Sequence, residues 1–338
     1  MTAQPRRLQS FLAGRWQDGR GTPAELLDAA TGEPVALIDA TGLDMAEALD
    51  HGRRAGAALR ALTFHQRAAR LKALGQHLMD RKEAFHALSL HTGATPKDGW
   101  VDIEGGIYTL FGYAGMGRRE LPNTRVLTEG ATEALSKDAS FSARHILTPL
   151  QGVAIHINAF NFPVWGMLEK LAPTFLAGMP AIVKPASQTA YLTEAVVREM
   201  LASGLLPEGA LQLVCGGVGD LLDHVTGQDV VTFTGSAATG RRLRAHPSIL
   251  RESTRFSMEA DSLNACVLGP DAAPGSPEFD LFVKEIAREL TVKAGQKCTA
   301  IRRAFVPRAH LDAVRDALAA ALARVAVGLP ADPATRMG

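Results

Sequence analysis

Between residues 152 and 244 the sequence alternates short apolar runs with amphipathic segments, and this alternation limits the possible folds more than any other feature. The runs have the length of strands, and the segments between them have helical periodicity. The predicted strands are 152–157, 181–184, 211–215 and 230–233, and the predicted helices are 167–176, 193–203, 220–225 and 237–244. Strands that alternate with helices form a parallel sheet covered on both faces. We therefore predict an α/β fold.

The first 150 residues predict a different organisation. Residues 11–38 contain apolar patches separated by glycines, which indicate short strands and turns. Residues 44–90 have the leucine and alanine pattern of successive helices, and a further helix is predicted from Trp100 to Tyr113, with Asp98 as a candidate N-cap. We expect residues 122–141 to be irregular and residues 143–149 to form a strand that leaves the body of the protein.

Polar or glycine-rich sequences follow several of the predicted strands. They are residues 158–163, residues 184–187, residues 234–240 and the segment around Glu259, which ends a further strand near Ser257. Ligands of open parallel sheets bind beyond the carboxyl ends of the strands. We therefore expect a ligand site to be built from these sequences.

The glycine turn from Phe233 to Gly240 opens a predicted helix, and this arrangement suits a phosphate group at the helix N-terminus. It is neither the G-x-G-x-x-G fingerprint, which occurs nowhere in the chain, nor a G-x-x-x-x-G-K-[ST] loop. The alternative is that Gly235 and Gly240 are ordinary turn glycines.

The most distinctive cysteine lies just beyond a predicted helix. Apolar residues between Phe279 and Leu290 recur at helical spacing, Gly295 offers a stop, and a strand is predicted at residues 301–306. Cys298 follows Lys297 directly, so we expect a thiol with a lowered pKa and an exposed thiolate. The alternative is a small apolar filler, which is the usual role of a free cysteine.

Composition excludes several classes of protein. A formal net charge of +1 without a long basic run argues against nucleic-acid binding, and no apolar run has the length of a membrane helix. The three cysteines, at positions 215, 266 and 298, form neither a disulfide framework nor a metal-binding pattern, and they favour a reducing, cytoplasmic compartment. Cys215, Cys266 and His156 lie in apolar strands and are predicted to be packed in the core.

Five motifs taken together resemble the aldehyde dehydrogenase superfamily. They are Asn-Phe-Pro at 161–163, Lys-Pro at 184–185, Phe-Thr-Gly-Ser at 233–236 with Gly240 after it, Glu259, and Gly-Gln-Lys-Cys at 295–298, and they span about 140 residues in the order of the family. The amino-acid sequence around these motifs is most similar to the dehydrogenase part of the bifunctional ring-opening protein of phenylacetate catabolism (oxepin-CoA hydrolase and semialdehyde dehydrogenase). A semialdehyde dehydrogenase of the benzoyl-CoA pathway is also similar.

The resemblance implies an architecture. Residues 1–258 would form a Rossmann-like cofactor domain with a strand excursion near 121–150, and residues 259–338 would begin a second, catalytic α/β domain. The family continues beyond the position of Gly338, so we expect this chain to be a fragment whose full-length form is a homo-oligomer.

The residues also suit the chemistry of aldehyde oxidation. The Cys298 thiolate would attack the aldehyde carbon to give a thiohemiacetal. The Asn161 amide and the Cys298 N–H would hold the oxyanion, and one such donor is typically worth about 2.7–4 kcal/mol. After hydride transfer to a nicotinamide cofactor, Glu259 would activate water to release the acid. The alternatives are that Asn161 is an Asx-turn residue and Glu259 a surface carboxylate.

The resemblance assigns the cofactor to the strand ends. Its predicted binding residues are Lys184, Ser187, Phe233, Gly235, Ser236 and Gly240, and no metal is expected. The family often has a carboxylate at the position of Ser187, where it binds the adenosine ribose. Its replacement by serine removes a charge that would repel a 2′-phosphate, so we expect NADP in preference to NAD.

The expected substrate is an aldehyde, specifically a coenzyme A-linked semialdehyde of aromatic-acid catabolism. Two alternatives belong to other classes. One is an acyltransferase that uses the same cysteine without a redox step, and it would leave the sequences at Lys184 and Gly235 unexplained. The other is a non-catalytic fragment.

Overall fold

The computed structural model of the chain describes residues 5–338. The strands are β1 (Arg6–Arg7), β2 (Ser10–Leu12), β3 (Arg15–Gln17), β4 (Ala24–Leu27), β5 (Pro34–Ile38), β6 (Leu127–Ala134), β7 (Ser142–Leu147), β8 (Ala154–Ile157), β9 (Ala181–Lys184), β10 (Leu211–Leu213), β11 (Val230–Gly235), β12 (Arg255–Ala260), β13 (Ala265–Val267) and β14 (Arg303–Phe305). The helices are α1 (Met45–Arg60), α2 (Phe64–Met79), α3 (Lys82–Ser89), α4 (Pro96–Arg119), α5 (Trp165–Leu176), α6 (Ala190–Ala202), α7 (Ala237–Arg244), α8 (Pro247–Arg251), α9 (Pro277–Thr291) and α10 (Leu311–Leu322).

A seven-stranded sheet forms the centre of the fold. Its strand order is β12-β11-β8-β9-β10-β2-β3. The first five strands are parallel to one another, β2 pairs antiparallel with β10, and β3 pairs antiparallel with β2. All four residues of β8 are buried, because helices cover both faces of a parallel sheet. The predicted α/β fold with a parallel sheet is confirmed.

Two hydrophobic cores lie on opposite faces of this sheet. Val183 and Leu211 pack into the core under α2, α4, α5 and α6, whereas Ile155 and Ile182 pack into the core on the face covered by α1. Adjacent residues of one strand therefore enter different cores, as the two-residue period of a strand requires. The cores hold the strands in register and bring the carboxyl ends of β8, β9, β11 and β12 to one edge.

A third, smaller core lies in the C-terminal part of the chain. β13 and β14 form a separate parallel pair, and Phe279 and Ile286 of α9 pack with Val314 of α10 beside it. β12 ends at Ala260 and belongs to the central sheet. The predicted domain division at residue 258 would therefore fall inside β12, and the division itself stays a prediction.

The helix predicted from Trp100 to Tyr113 is longer at both ends. The N-cap of α4 is Thr95, whose side chain accepts the N–H of Asp98, and not Asp98 itself. Glycines near the C-terminal end of α4 lower its helix propensity, and the predicted helix therefore ended too early. Gly117 is nevertheless helical and closely packed, since a Cβ there would lie 2.7 Å from a methyl group of Leu176.

The expectation of irregular structure over residues 122–141 is wrong. β6 pairs with β7 in an antiparallel hairpin in which Leu127 faces Leu147. Most side chains of both strands are exposed, so the sequence lacks the alternation that marks a half-buried strand. The predicted strand at 143–149 corresponds to β7, and the hairpin lies where the strand excursion was predicted.

The described part of the chain contains no helix with both the length and the apolar composition needed to cross a membrane. Within residues 5–338, no three His, Cys, Asp or Glu side chains are grouped so that they could hold a metal ion.

A buried ion pair connects α1 to the central sheet. The guanidinium of Arg53 lies 2.6 Å from the carboxylate of Asp229, which is fully buried. Asp229 also accepts the backbone N–H groups of Val153 and Thr226, both at 2.7 Å. Arg53 has a second partner, Asp50, at 2.8 Å, whose side chain is 56% exposed.

The two partners of Arg53 should differ in their effect on stability. We expect Asp229→Asn to lower the free energy of unfolding by about 3 kcal/mol, because it removes the buried one of the two counter-ions of Arg53. Asp50→Asn, the matched control, should change it by less than about 0.5 kcal/mol. Urea denaturation followed by circular dichroism measures both values. Equal effects of the two substitutions would contradict the assignment.

Candidate active site

A cleft of about 990 Å³ opens where the parallel strands end. It lies beyond the carboxyl ends of β8, β9, β11 and β12, and the segment that contains Cys298 closes one side. The predicted site residues that line it are Asn161, Lys184, Ser187, Phe233, Gly235, Ser236, Glu259 and Cys298. The structure therefore brings together residues from four strand ends and the cysteine segment.

Gly240 is the predicted site residue that does not line this cleft. It is buried in the first turn of α7, where a Cβ would lie 2.4 Å from the sulfur of Met258. Its backbone packs directly against β12. The structure thus gives Gly240 a packing role, which lets α7 begin close to the sheet.

A smaller cavity of about 370 Å³ adjoins the large cleft at the cysteine. Asn161, Glu259 and Cys298 line both this cavity and the large cleft. Phe162 and Trp165 give the smaller cavity an apolar wall. Cys298 therefore lies where the two spaces meet.

The prediction that Lys297 lowers the pKa of Cys298 is wrong. The ammonium of Lys297 pairs with Glu289 of α9 at 2.8 Å, so its charge already has a counter-ion. The pKa of the Cys298 thiol is raised by partial burial and by the negative charge and hydrogen bond of Glu259. The thiol itself is exposed, as expected. Sequence adjacency alone does not show in which direction a lysine side chain points.

Glu259 is held at the end of β12 beside β11. It pairs in register with Thr234, whose hydroxyl donates to a carboxylate oxygen of Glu259 at 3.3 Å. The side chain is exposed to both cavities at the cysteine. A carboxylate in this position can accept a proton from the thiol or from a water molecule.

Asn161 lies in the connection between β8 and α5. Its side-chain Nδ2 donates to the backbone carbonyl of Gln296 at 2.9 Å, so it contacts the cysteine segment directly. An amide nitrogen carries two hydrogens, and this bond uses one of them. The other is available to a ligand in the adjoining cavities.

Two residues near the thiol had no assigned role in the sequence. Asn264 donates from Nδ2 to the backbone carbonyls of Cys298 at 2.5 Å and Ala300 at 3.1 Å, and so fixes the cysteine backbone. Lys170 of α5 lines the smaller cavity and a third space of about 390 Å³ that also reaches Glu259. The adjacent charged residues Glu169 and Lys170, which pair at 3.2 Å in an otherwise mostly apolar helix, are the signal that points to Lys170.

The far end of the large cleft suits an anionic or hydroxyl-rich ligand. Lys184 lies at the end of β9, and burial lowers its pKa. In the described residues, no carboxylate oxygen comes within 4.0 Å of its ammonium group. Ser187 follows in the next turn and lines the same cleft.

The N-terminus of α7 is already hydrogen-bonded within the protein. The N–H of Ala237 donates to the carboxylate of Asp261 at 3.2 Å, and the N–H of Thr239 donates to the hydroxyl of Ser236 at 3.3 Å. Asp261 has a φ of +55°, which is uncommon for a residue other than glycine. A phosphate group bound here would have to replace the Asp261 carboxylate on Ala237.

Residues 16–338 match the model of the Aldehyde dehydrogenase family. The chain belongs to the aldehyde dehydrogenase family. A curated relative, the 3,4-dehydroadipyl-CoA semialdehyde dehydrogenase of Aromatoleum evansii, is 48% identical over 334 residues. The match covers 98% of this chain and 65% of the relative, so this chain spans less than two thirds of the length of that aldehyde dehydrogenase.

Solved structures of aldehyde dehydrogenases share the fold. The succinate-semialdehyde dehydrogenase of Burkholderia pseudomallei has a TM-score of 0.84 and 25% identity, and the match covers 98% of this chain and 67% of that protein. Aldehyde dehydrogenase 21 of Physcomitrella patens, in complex with the product succinate, has a TM-score of 0.82 and 21% identity, covering 99% of this chain and 68% of that one. The resemblance found in the five motifs is confirmed, and the catalytic and cofactor roles of single residues stay predictions.

The pKa of Cys298 should respond to Glu259 and not to Lys297. In the unmodified chain, alkylation of Cys298 by iodoacetamide should rise with pH to a midpoint above the usual thiol value of about 8.5. Glu259→Gln should move this midpoint down, because a carboxylate that disfavours the thiolate is removed. Mass mapping of the peptide that contains Cys298 measures the rate.

Lys297→Met is the matched control for this measurement. Because Glu289 already pairs with the charge of Lys297, the midpoint should stay within the error of the unmodified value. Buried Cys215 should remain unlabelled. A midpoint that is unchanged or raised in Glu259→Gln would contradict the electrostatic assignment.

Proposed function

We propose that this chain supplies the nucleophile, the general base and the cofactor cleft of an NAD(P)-dependent aldehyde dehydrogenase. The observation that carries the proposal is that Cys298 lines both a large cleft of about 990 Å³ and a smaller, partly apolar cavity. Glu259 and Asn161 line both spaces beside it. Membership of the aldehyde dehydrogenase family supports the same reaction class.

The first chemical step is the attack of sulfur on the aldehyde carbon. The thiol releases its proton to solvent before the carbon–sulfur bond forms, because the thiolate is the nucleophile. The oxyanion of the thiohemiacetal is stabilised by the free hydrogen of the Asn161 amide and by the backbone N–H of Cys298. One preorganised donor of this kind typically contributes about 2.7–4 kcal/mol.

The family's nicotinamide cofactor supplies the hydride acceptor when it is bound. Lys184 and Ser187 fit its ribose and phosphate groups, because the Lys184 ammonium lines the cleft without a protein counter-ion. Phe233, Gly235 and Ser236 line the same cleft. At α7, Asp261 competes with cofactor phosphate for the Ala237 N–H.

Release of the product requires water to attack the thioester on Cys298. Glu259 accepts a proton from that water, and the acyl carbon leaves sulfur as a carboxylic acid while the thiol is restored. A general base of this kind contributes roughly 10²–10⁴ in rate. The presence of this carboxylate favours hydrolysis over transfer of the acyl group to a second thiol.

The substrate we propose is a semialdehyde linked to coenzyme A, from the catabolism of aromatic acids. The support is the 48% identity with a protein named 3,4-dehydroadipyl-CoA semialdehyde dehydrogenase. Acyl transfer without a redox step gives no role to the part of the cleft around Lys184, and no observation favours it. Measured turnover would exclude a non-catalytic role. Homo-oligomerisation stays a prediction.

Substitution of Glu259 should separate the oxidation step from hydrolysis. With 3,4-dehydroadipyl-CoA semialdehyde and NADP, Glu259→Gln should give one rapid equivalent of NADPH and then stall, because hydride transfer precedes attack by water. Stopped-flow absorbance at the NADPH band and intact mass of the acylated protein measure the two stages. Cys298→Ala, the control, should give neither burst nor acylation. Loss of the burst in Glu259→Gln would assign Glu259 an earlier role.

Ser187 should determine the choice between NADP and NAD. A 2′-phosphate can accept a hydrogen bond from Ser187 and pair with Lys184, and such contacts contribute about 1.5–3 kcal/mol each. We therefore expect a tenfold to hundredfold preference for NADP, and Ser187→Glu should reverse it mainly by weakening NADP binding. Fluorescence titration and kcat/KM with each cofactor measure the ratio.

Ser187→Ala separates charge from hydrogen bonding in this comparison. It should lower the preference for NADP by less than Ser187→Glu does, because it introduces no repulsion. Equal or better kcat/KM with NAD in the unmodified protein would contradict the proposed preference. An unchanged ratio in Ser187→Glu would contradict the role of position 187.

A further inference from the structure

A buried carboxylate of α4 holds the start of α5. Asp102 is 1% exposed, and it accepts the backbone N–H of Trp165 at 2.8 Å and that of Val164 at 3.2 Å. These N–H groups belong to the first turn of the helix and have no partner within it. Burial raises the pKa of Asp102 to about 6, and the nearby Lys293 opposes the rise. Asp102 thereby fixes the segment that begins with Asn161.

Lys293 reaches the same place from the cysteine segment. It is 9% exposed, and its ammonium lies 4.8 Å from the centroid of the Phe162 ring. Burial lowers its pKa, while the charges of Asp102 and Asp98 raise it. Phe162 directly follows Asn161, and Lys293 precedes Cys298 by five positions. Lys293 therefore belongs to the cysteine segment, and its side chain contacts the segment that contains Asn161.

The backbone at Lys293 requires this side chain to be held. Lys293, Ala294 and Gly295 have φ values of 51°, 51° and 71°, so three successive residues are left-handed. Residues other than glycine avoid this region, and they adopt it only where surrounding contacts determine the conformation. The turn brings the carbonyl of Gln296 to the amide of Asn161, at 2.9 Å.

We propose that Lys293 and Asp102 form a positioning pair that holds the Asn161 amide and the Cys298 thiol in a fixed relation. The proposal rests on the proposed function, since it assumes that these two groups act together. Asp102 fixes the start of α5 and with it Asn161. Lys293, buried with its ammonium over the Phe162 ring and within the field of the α4 carboxylates, fixes the left-handed turn before Cys298. Neither residue lines the two cavities that meet at the thiol.

The test compares Lys293→Met with Lys293→Arg by amide hydrogen exchange. Lys293→Met keeps the length of the side chain and removes its charge, so exchange over residues 294–300 and 162–165 should become roughly tenfold faster by local opening. Lys293→Arg restores the cation over Phe162 and should return exchange to near the unmodified rate. The strands β8 and β9 should exchange as before in both variants.

Lys82→Met is the matched control, because Lys82 pairs with another buried carboxylate of α4, Glu104, at 3.1 Å. It should leave exchange over residues 294–300 unchanged. Turnover adds a second readout, because misplaced catalytic groups cost up to about 100-fold in rate. Lys293→Met should lower kcat with little change in cofactor KM, and Lys293→Arg should recover most of it.

Three results would overturn the positioning pair. They are unchanged exchange in Lys293→Met, faster exchange of equal size in β8 and β9, and failure of Lys293→Arg to restore the cysteine segment. If Lys293→Met does not fold, Asp102→Asn applies the same test, and exchange over residues 292–300 must rise. Hydrogen exchange needs no substrate, so an absence of turnover in the unmodified protein would refute the proposed function alone.

Discussion

The parallel sheet buried on both faces is the constraint on which the rest of the structure depends. The central strands β8, β9 and β10 contribute to two cores at once, so their side chains are buried up to the last residue of β9 and are not accessible to a ligand. Where the strands end, the ladder of hydrogen bonds ends too, and polar side chains can face a shared space. Lys184, Thr234 and Glu259 all lie within the last two residues of a strand. The sheet therefore determines both the shape of the cleft and the positions at which chemistry can be placed.

The sequence predicted the elements whose signals are local. The bounds of β9 and α7 agree with the structure, because an apolar strand and a helix capped by Ser236 are visible in a short window. The hairpin of β6 and β7 was missed, since its exposed strands carry no alternation of apolar residues. The ion pair of Lys297 with Glu289 was missed for a different reason, because the contact depends on the turn between α9 and the lysine.

The residues of the candidate site also fall into those that the sequence predicted and those that it did not. Its residues at strand ends, such as Asn161 and Glu259, were predictable because the strand positions themselves were predictable. Asp102 and Lys293 were not, because each depends on a partner far away in the chain and on a left-handed turn that no local pattern indicates. Polar residues inside apolar segments are the weak signal that such contacts leave in a sequence. Asn264, which holds the carbonyl of Cys298, is a further example.

The position of Cys298 beside two adjoining spaces has a consequence for kinetic order. Asn161, Glu259 and Cys298 line both spaces, so a ligand in either one can contact the same three residues. One ligand therefore does not have to leave before the other arrives. The arrangement permits a ternary complex, in which both ligands are bound while the sulfur reacts.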